Sequence, residues 1–263
     1  MPANEAAPFS RRDIRQSFSR AADTYDRSAL IQRQIGDDLL RSLPPLSGSI
    51  LDLGCGTGYC LSKLKAAYPD LGLIGLDLSQ QMATFTRQKG IRRIVCADAH
   101  HLPFKSQSFG AIVSNLVVQW SASLDLLFAQ CQRVLSSQGY FVFNSLLPGT
   151  LIEIEQAWLR VDSGVHVNRF IPEDELCAAL NRSGLQIRRI EQRQYRFYFD
   201  HAREAMLQIK GIGGHNMNSA RQRALTGKKV FQKFIHHYEA SRQSRGLPLT
   251  YQILEITAQA SDK

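Results

Sequence analysis

Apolar positions along the chain recur with two periods, and the switches between them predict an alternation of helices and strands. From Asp13, the residues Ile14, Phe18, Ala21, Ala22 and Tyr25 keep helical spacing. Leu30, Ile31, Ile35, Leu39, Leu40 and Leu43 form a second helical run, which Pro44-Pro45 stops. The period then shortens. Ser49 to Leu53, Leu71 to Asp77, Arg93 to Ala97 and Ser108 to Asn115 read as buried strands, with helical runs from Tyr59 and through Met82 between them. Leu124 to Leu135 is an amphipathic helix, followed by a fifth strand ending near Phe143. Strands alternating with helices in this way predict an α/β fold with a parallel, doubly wound sheet.

Beyond Pro148-Gly149 the pattern loosens. Helical runs cover Leu151 to Val161 and Pro172 to Leu180. A strand covers Leu185 to Phe199, helical runs cover Ala202 to Lys210 and Ala220 to Ser241, and Leu249 to Ile256 alternates as a last strand.

The junction after the first strand carries the chemistry. Leu51-Asp52-Leu53 runs directly into Gly54-Cys55-Gly56-Thr57-Gly58, and helical spacing resumes at Tyr59. Glycines at alternate positions let the backbone turn tightly and approach a ligand, and the following helix start offers unpaired N–H groups. A dinucleotide fingerprint would place its third glycine one residue later. The second strand ends in Asp77, 19 residues past Gly58, where an acid accepts both ribose hydroxyls of a nucleoside. As an alternative, Asp77 would cap the next helix, a role open to Ser79.

The G-x-G-x-G form, with Asp52 before it, resembles motif I of class I S-adenosylmethionine-dependent methyltransferases. That resemblance implies a Rossmann-like seven-stranded sheet with its last strand antiparallel. Asp98-Ala99 would meet the adenine, Met82 and Leu78 would pack near it, and Asn115 would end strand four beside the sulfonium. With Asp52, Gly54, Gly56, Gly58 and Asp77, these are the expected contacts to S-adenosylmethionine. Leu102-Pro103-Phe104 and Ser108 to Asn115 resemble the family's approach to strand four, although Gly110 stands where Asp is common. Leu135-Ser136-Ser137-Gln138-Gly139 resembles the family's L-x-x-G-G turn with one glycine missing. Phe18 and Tyr25 are placed to close over the cofactor and equally suit ordinary packing. Trp120 either walls the methyl site or packs.

Later stretches narrow the family. Ser17-Phe18-Ser19-Arg20-Ala21-Ala22, Val167-Asn168-Arg169-Phe170-Ile171-Pro172, Leu207 to Asn216, Leu225 to Lys229 and Gly246 to Tyr251 occur in that order. Together they resemble the malonyl-acyl-carrier-protein O-methyltransferases of biotin synthesis, over nearly the whole chain. That resemblance implies methyl transfer to the free carboxylate of a malonyl thioester, on carrier protein or coenzyme A. The carboxylate is already ionised near neutral pH, so no general base is expected. Arg169 is the first candidate to hold it, with Tyr25 positioning and Trp120, His215, Asn216 and Tyr251 lining the site. The expected division is a helical cap over 1–45, a cofactor-binding core over 46–150, and a remainder over 151–263 whose helical insertions roof the active site.

Charge adds a partner. The formal net charge is +9, and Arg182 to Arg245 holds fourteen Lys or Arg against four acids. A basic stretch of this kind suits an acidic partner such as an acyl carrier protein. A solvated basic surface is the alternative. Nucleic-acid methylation is disfavoured, because Ser114-Asn115-Leu116-Val117 replaces the Asn/Asp-Pro-Pro-aromatic stretch used on flipped bases. Methylation of another small acid or a quinone ring, and a non-catalytic scaffold, are the remaining alternatives. Five scattered cysteines without a C-x-x-C pair argue against disulfides or zinc. No run approaches the roughly 18 apolar residues that span a bilayer, and the N-terminus lacks a signal pattern, so a cytoplasmic protein is expected.

Overall fold

The structure is a computed structural model that describes residues 10–212 and 227–261. Its sheet has seven strands: β1 (Ile50–Leu53), β2 (Leu73–Asp77), β3 (Ile94–Cys96), β4 (Phe109–Asn115), β5 (Leu135–Leu146), β6 (Leu185–Phe199) and β7 (Leu247–Ala260). They lie in the order β3-β2-β1-β4-β5-β7-β6. β1 to β5 pair in parallel, and β7 runs antiparallel to both β5 and β6, as expected for a methyltransferase sheet.

Period-two alternation decides which layer each strand residue meets. Leu51, Leu53, Ile112, Phe141 and Phe143 face α5 (Leu124–Val134) and α7 (Glu173–Ser183), where Phe128, Cys131, Leu176 and Leu180 complete the largest core cluster. Ile50, Ala111, Val113 and Val142 face the other way. They pack with Leu39 of α2 (Leu30–Arg41) and Leu64 of α3 (Tyr59–Ala67). The 1–45 segment therefore divides. α2 covers a sheet face, while α1 (Arg11–Ser28) crosses the carboxyl end of the sheet, where its partners lie beyond β1, β2 and β3.

The insertions divide as well. α7 was expected in the roof, but its Leu176, Ala179 and Leu180 are fully buried in the main core, so it is a layer of the sheet. The roof consists of α6 (Ile152–Leu159), α8 (Ala202–Gly211) and α9 (Lys228–Glu239), packed around the part of β7 that β5 does not reach. β5 pairs with β7 only from Ile253 onward, whereas β6 pairs with it from Leu247. Leu247 to Gln252 and their β6 partners thus extend past the end of β5, where the Leu147 and Leu151 N–H groups donate to the Gln252 and Thr250 carbonyls.

The two departures from the family's motifs meet different local structure. A Cβ on Gly110 would sit 1.9 Å from the Ser47 carbonyl oxygen, so no side chain fits there. Gln138, where a glycine is missing, adopts the left-handed conformation at φ 61°.

Candidate active site

β1 ends at Leu53, and the backbone becomes left-handed at Gly54, Gly56 and Gly58, with φ of 74°, 54° and 82°. A Cβ on Gly54 would lie 2.3 Å from Val117 Cγ2, and one on Gly58 would lie 2.7 Å from Thr86 Cγ2. Those two glycines are needed so that the turn can press against its neighbours. Gly56 differs, since a Cβ there would meet nothing within 4 Å. Thr86 Oγ1 donates to the Gly56 carbonyl at 2.8 Å, and the Gly56 N–H donates to Asp77 Oδ2 at 2.9 Å.

Above this turn lies a cavity lined by Gly54, Gly56, Asp77, Leu78, Met82, Asp98, Ala99 and Asn115. Its lid is α1, which contributes Arg11, Ile14, Phe18 and Tyr25. α1 is tied down at three places. Arg11 Nη1 meets Asp98 Oδ2 at 2.9 Å, Ser19 Oγ meets Ser79 Oγ at 2.9 Å, and Thr57 Oγ1 donates to Asp26 Oδ1 at 2.6 Å. The cap of the helix α4 (Gln80–Gln88) is Ser79, whose hydroxyl accepts from Met82 N, so Asp77 is not the N-cap. Instead Asp77 Oδ1 accepts from Ser79 N at 2.8 Å, holding the carboxylate at the end of β2.

The acids of the site have different electrostatics. Asp52 is 1% exposed, and its Oδ2 has no hydrogen-bond partner among the described residues. Burial, and then the nearby Asp77 charge, push its carboxyl up to about 7. It lines a third cavity, shared with Tyr25, Gly54, Gly56 and Asn115. Burial also raises Asp77, against the pull of the Ser79 and Gly56 amides. Asp98 moves the other way. Burial pushes it up, but hydrogen bonds from the His100 backbone and ring, with the Arg11 charge, hold it below the usual carboxylate range. Burial first, then the Asp77 charge, raises the Tyr25 phenol. Burial thus keeps the Tyr25 phenol protonated.

A second cavity adjoins the first. Phe18, Tyr25, Leu116 and Trp120 line both, and Phe18 meets Trp120 edge-on at 5.7 Å. Leu116 sits at the junction with φ 58°, a conformation costly for a branched side chain. Asn144 braces it. Its Oδ1 accepts from Leu116 N at 2.6 Å, and its Nδ2 donates to Asn115 Oδ1 at 2.8 Å. Asn115 Nδ2 in turn donates to the Gln32 carbonyl, which α2 brings close because Gly36 has no side chain to hold Asn115 away. Gln32, Gln119, Thr150, Asn168, Phe170 and Tyr251 also line the second cavity.

Arg169, the first candidate for holding the carboxylate, stands apart from both cavities among the described residues. Its side chain is exposed and lines neither cavity, whereas its neighbours Asn168 and Phe170 line the second. One residue along the chain separates the side chain facing the site from the one facing solvent. Gly58 also stands outside the cavity linings, its place being the packing of the turn on Thr86. His215 and Asn216 lie outside the described residues. The basic stretch is partly neutralised by the chain itself. Arg182 pairs with Asp125, Arg189 with Glu191 and Glu255, Arg193 with Glu191, and Arg242 with Glu239. Arg189 and Arg193 lie on the edge strand β6 rather than on the roof.

Sequence reasoning passed over Arg11, His100, Gln32, Gln119 and Asn168. Gln32 carries a readable signal, because it is a polar residue on the buried stripe Ile31, Gln32, Ile35, Gly36, Leu39 of α2. No such pattern marks the others.

Residues 51–143, which include the glycine turn and most of the first cavity, match the family described as a methyltransferase domain. The malonyl-[acyl-carrier protein] O-methyltransferase of Hahella chejuensis is 37% identical over 91% of this chain and 87% of its own length. The biotin biosynthesis bifunctional protein BioHC of Cellvibrio japonicus is 37% identical over 94% of this chain, which spans 50% of that longer protein. In fold, the chain is similar to the geranyl diphosphate C-methyltransferase of Streptomyces coelicolor, solved with S-adenosyl-L-homocysteine. Their TM-score is 0.52 at 18% identity, over 85% of this chain and 78% of that one. At 37% identity to the Hahella chejuensis protein over most of both lengths, the chain belongs to the malonyl-[acyl-carrier protein] O-methyltransferase family.

Proposed function

We propose that this chain is a cytoplasmic enzyme that methylates the free carboxylate of a malonyl group held as a thioester on acyl carrier protein, using S-adenosylmethionine. The carrying observation is the pair of adjoining cavities. One has the glycine turn and carboxylates of a nucleoside site, the other is apolar with a few polar groups, and they meet at Phe18, Tyr25, Leu116 and Trp120.

The residues present fit the cofactor. Asp52 Oδ2 is a buried, unpartnered acceptor beside the turn and suits the ammonium of the methionine part. Open space at Gly56 suits close backbone approach. Asp77 is assigned to the ribose hydroxyls, Asp98 to the adenine amino group, and Leu78, Met82 and Ala99 to the apolar faces of the ring. Asn115, held by Asn144, ends β4 beside the junction of the two cavities.

When bound, the cofactor supplies an electrophilic methyl group on a sulfonium. The protein's task is to align the carboxylate oxygen with it and to exclude water from a reaction that neutralises two opposite charges. Phe18 and Trp120 supply the apolar walls, and the neutral Tyr25 phenol positions by donating a hydrogen bond. The carrier protein is assigned to the exposed cations of the roof, Arg203 and Lys210 on α8 with Lys228, Lys229 and Lys233 on α9. Ile209 of α8 lines the second cavity next to Lys210, which suits an acyl arm entering there.

Incubation with S-adenosylmethionine and malonyl-carrier protein, followed by mass spectrometry of the carrier, tests this reading. The expected product carries one added methyl on the malonyl carboxylate. Methylation of free acids or phenols with none on the malonyl thioester would overturn it.

A further inference from the structure

Tyr251 is 3% exposed and its hydroxyl has no hydrogen-bond partner among the described residues. β7 alternation places it on one face with Leu249 and Ile253, both buried in the same apolar cluster, and its ring meets Phe197 edge-on at 6.2 Å. Packing alone would be served as well by phenylalanine, without burying an unpaired hydroxyl. The position in the sheet gives that hydroxyl a place to act. β5 leaves β7 at Ile253, so Tyr251 stands beyond the end of β5 and lines the second cavity.

Gln32 shares this property. It is 7% exposed on the buried stripe of α2, lines the same cavity, and its Oε1 is unpartnered. Turning its amide about the last torsion presents the NH2 group instead. Gln119 is different. Its Nε2 is committed to the Leu116 carbonyl at 2.8 Å, which leaves Oε1 as an acceptor that repels a carboxylate. Burial holds the Tyr251 phenol protonated, so it remains a donor.

We propose that the Tyr251 hydroxyl and the Gln32 amide are the neutral donors that hold the substrate's free carboxylate, and that they set the preference for a malonyl over an acetyl thioester. This rests on the carboxyl methylation proposed above and replaces Arg169 in that role. Neutral donors recognise the acid without a fixed cation beside it. Its charge is then compensated mainly by the sulfonium with which it reacts, and the neutral ester product is held less tightly.

The test compares wild type with Tyr251→Phe and Gln32→Leu. It reads the KM for malonyl-carrier protein, the inhibition constant of acetyl-carrier protein, cofactor affinity by calorimetry and the melting temperature. The expected result for Tyr251→Phe is a malonyl KM raised tenfold or more, with the acetyl constant and cofactor affinity within about twofold of wild type. Melting should be unchanged or higher, because an unpartnered polar atom is removed. Gln32→Leu should show the same selective loss, and it carries the test if Tyr251→Phe does not fold. Equal changes for malonyl and acetyl, or no change in either, would overturn the assignment and leave the proposed reaction standing. A wild-type enzyme inactive on malonyl-carrier protein would instead remove the reaction, and this inference with it.

Discussion

The hydroxyl of Thr57, inside the glycine turn, donates to Asp26 Oδ1 at 2.6 Å, and so joins the last turn of α1 to the floor of the cofactor cavity. Lys89 completes the clamp, with Nζ 2.5 Å from Asp26 Oδ2 and 2.9 Å from the Thr57 carbonyl. Burial pushes the Asp26 carboxyl up, but the hydrogen bonds from Lys89 and Thr57 outweigh it and hold the group below its usual range. The α1 lid is thus fastened directly to the loop it covers.

Asp26→Ala should loosen that lid. The expected outcome is a cofactor Kd raised about tenfold, mainly through faster dissociation, as read by stopped-flow fluorescence. The clamp is partly exposed, so global stability should fall by only about 1 kcal/mol.

Asp52 makes stability and cofactor binding respond to pH in opposite ways. Its folded-state pKa, about 7, lies above the value near 4 expected in the unfolded chain. Between those values the folded state keeps a proton that the unfolded state has lost. The cofactor-free protein should therefore lose stability as pH rises from about 4 to 7, and then level off. Asp52→Asn should melt higher than wild type at pH 8, by an amount on the order of 2–4 kcal/mol, and no higher at pH 4. It should also lose cofactor affinity. In wild type, cofactor binding should strengthen from pH 5.5 to 7.5 with release of a proton, which calorimetry in buffers of different ionisation enthalpy would detect.

Gln138 occupies a left-handed position at φ 61° in the turn entering the sheet part of β5. Gln138→Gly should relieve that strain at some cost in unfolded-state entropy, for a net gain of about 0.5–1 kcal/mol by denaturant unfolding. Activity should be unchanged, because the residue is remote from both cavities.

The α9 cations make a kinetic prediction. Lys229→Glu with Lys233→Glu should raise the KM for malonyl-carrier protein several-fold and leave that for malonyl-coenzyme A within twofold. The wild-type KM for the carrier should also rise with salt, because docking through exposed charge is screened. A carrier KM indifferent to both changes would place the docking surface elsewhere.

The order of strands and helices, the glycine turn and the position of Asp77 at the end of β2 were all legible in the sequence. Each depends on local causes: alternation, helical period and backbone freedom at glycine. The core also followed from period two, since Leu51 and Leu53 face one layer and Ile50 the other. The second cavity was not legible in the same way. It draws Gln32 from α2, Gln119 from the 3-10 turn Val118–Trp120, Asn168 from a loop and Tyr251 from the last strand, residues that share no period. Choosing Asn168 over Arg169 depends on which way one side chain points, and local spacing does not encode that. α7 looked like an insertion until its buried face was seen against α5. Short-range sterics wrote the frame and the cofactor turn into the sequence. Only the packing of distant elements decided which polar side chains line the second cavity.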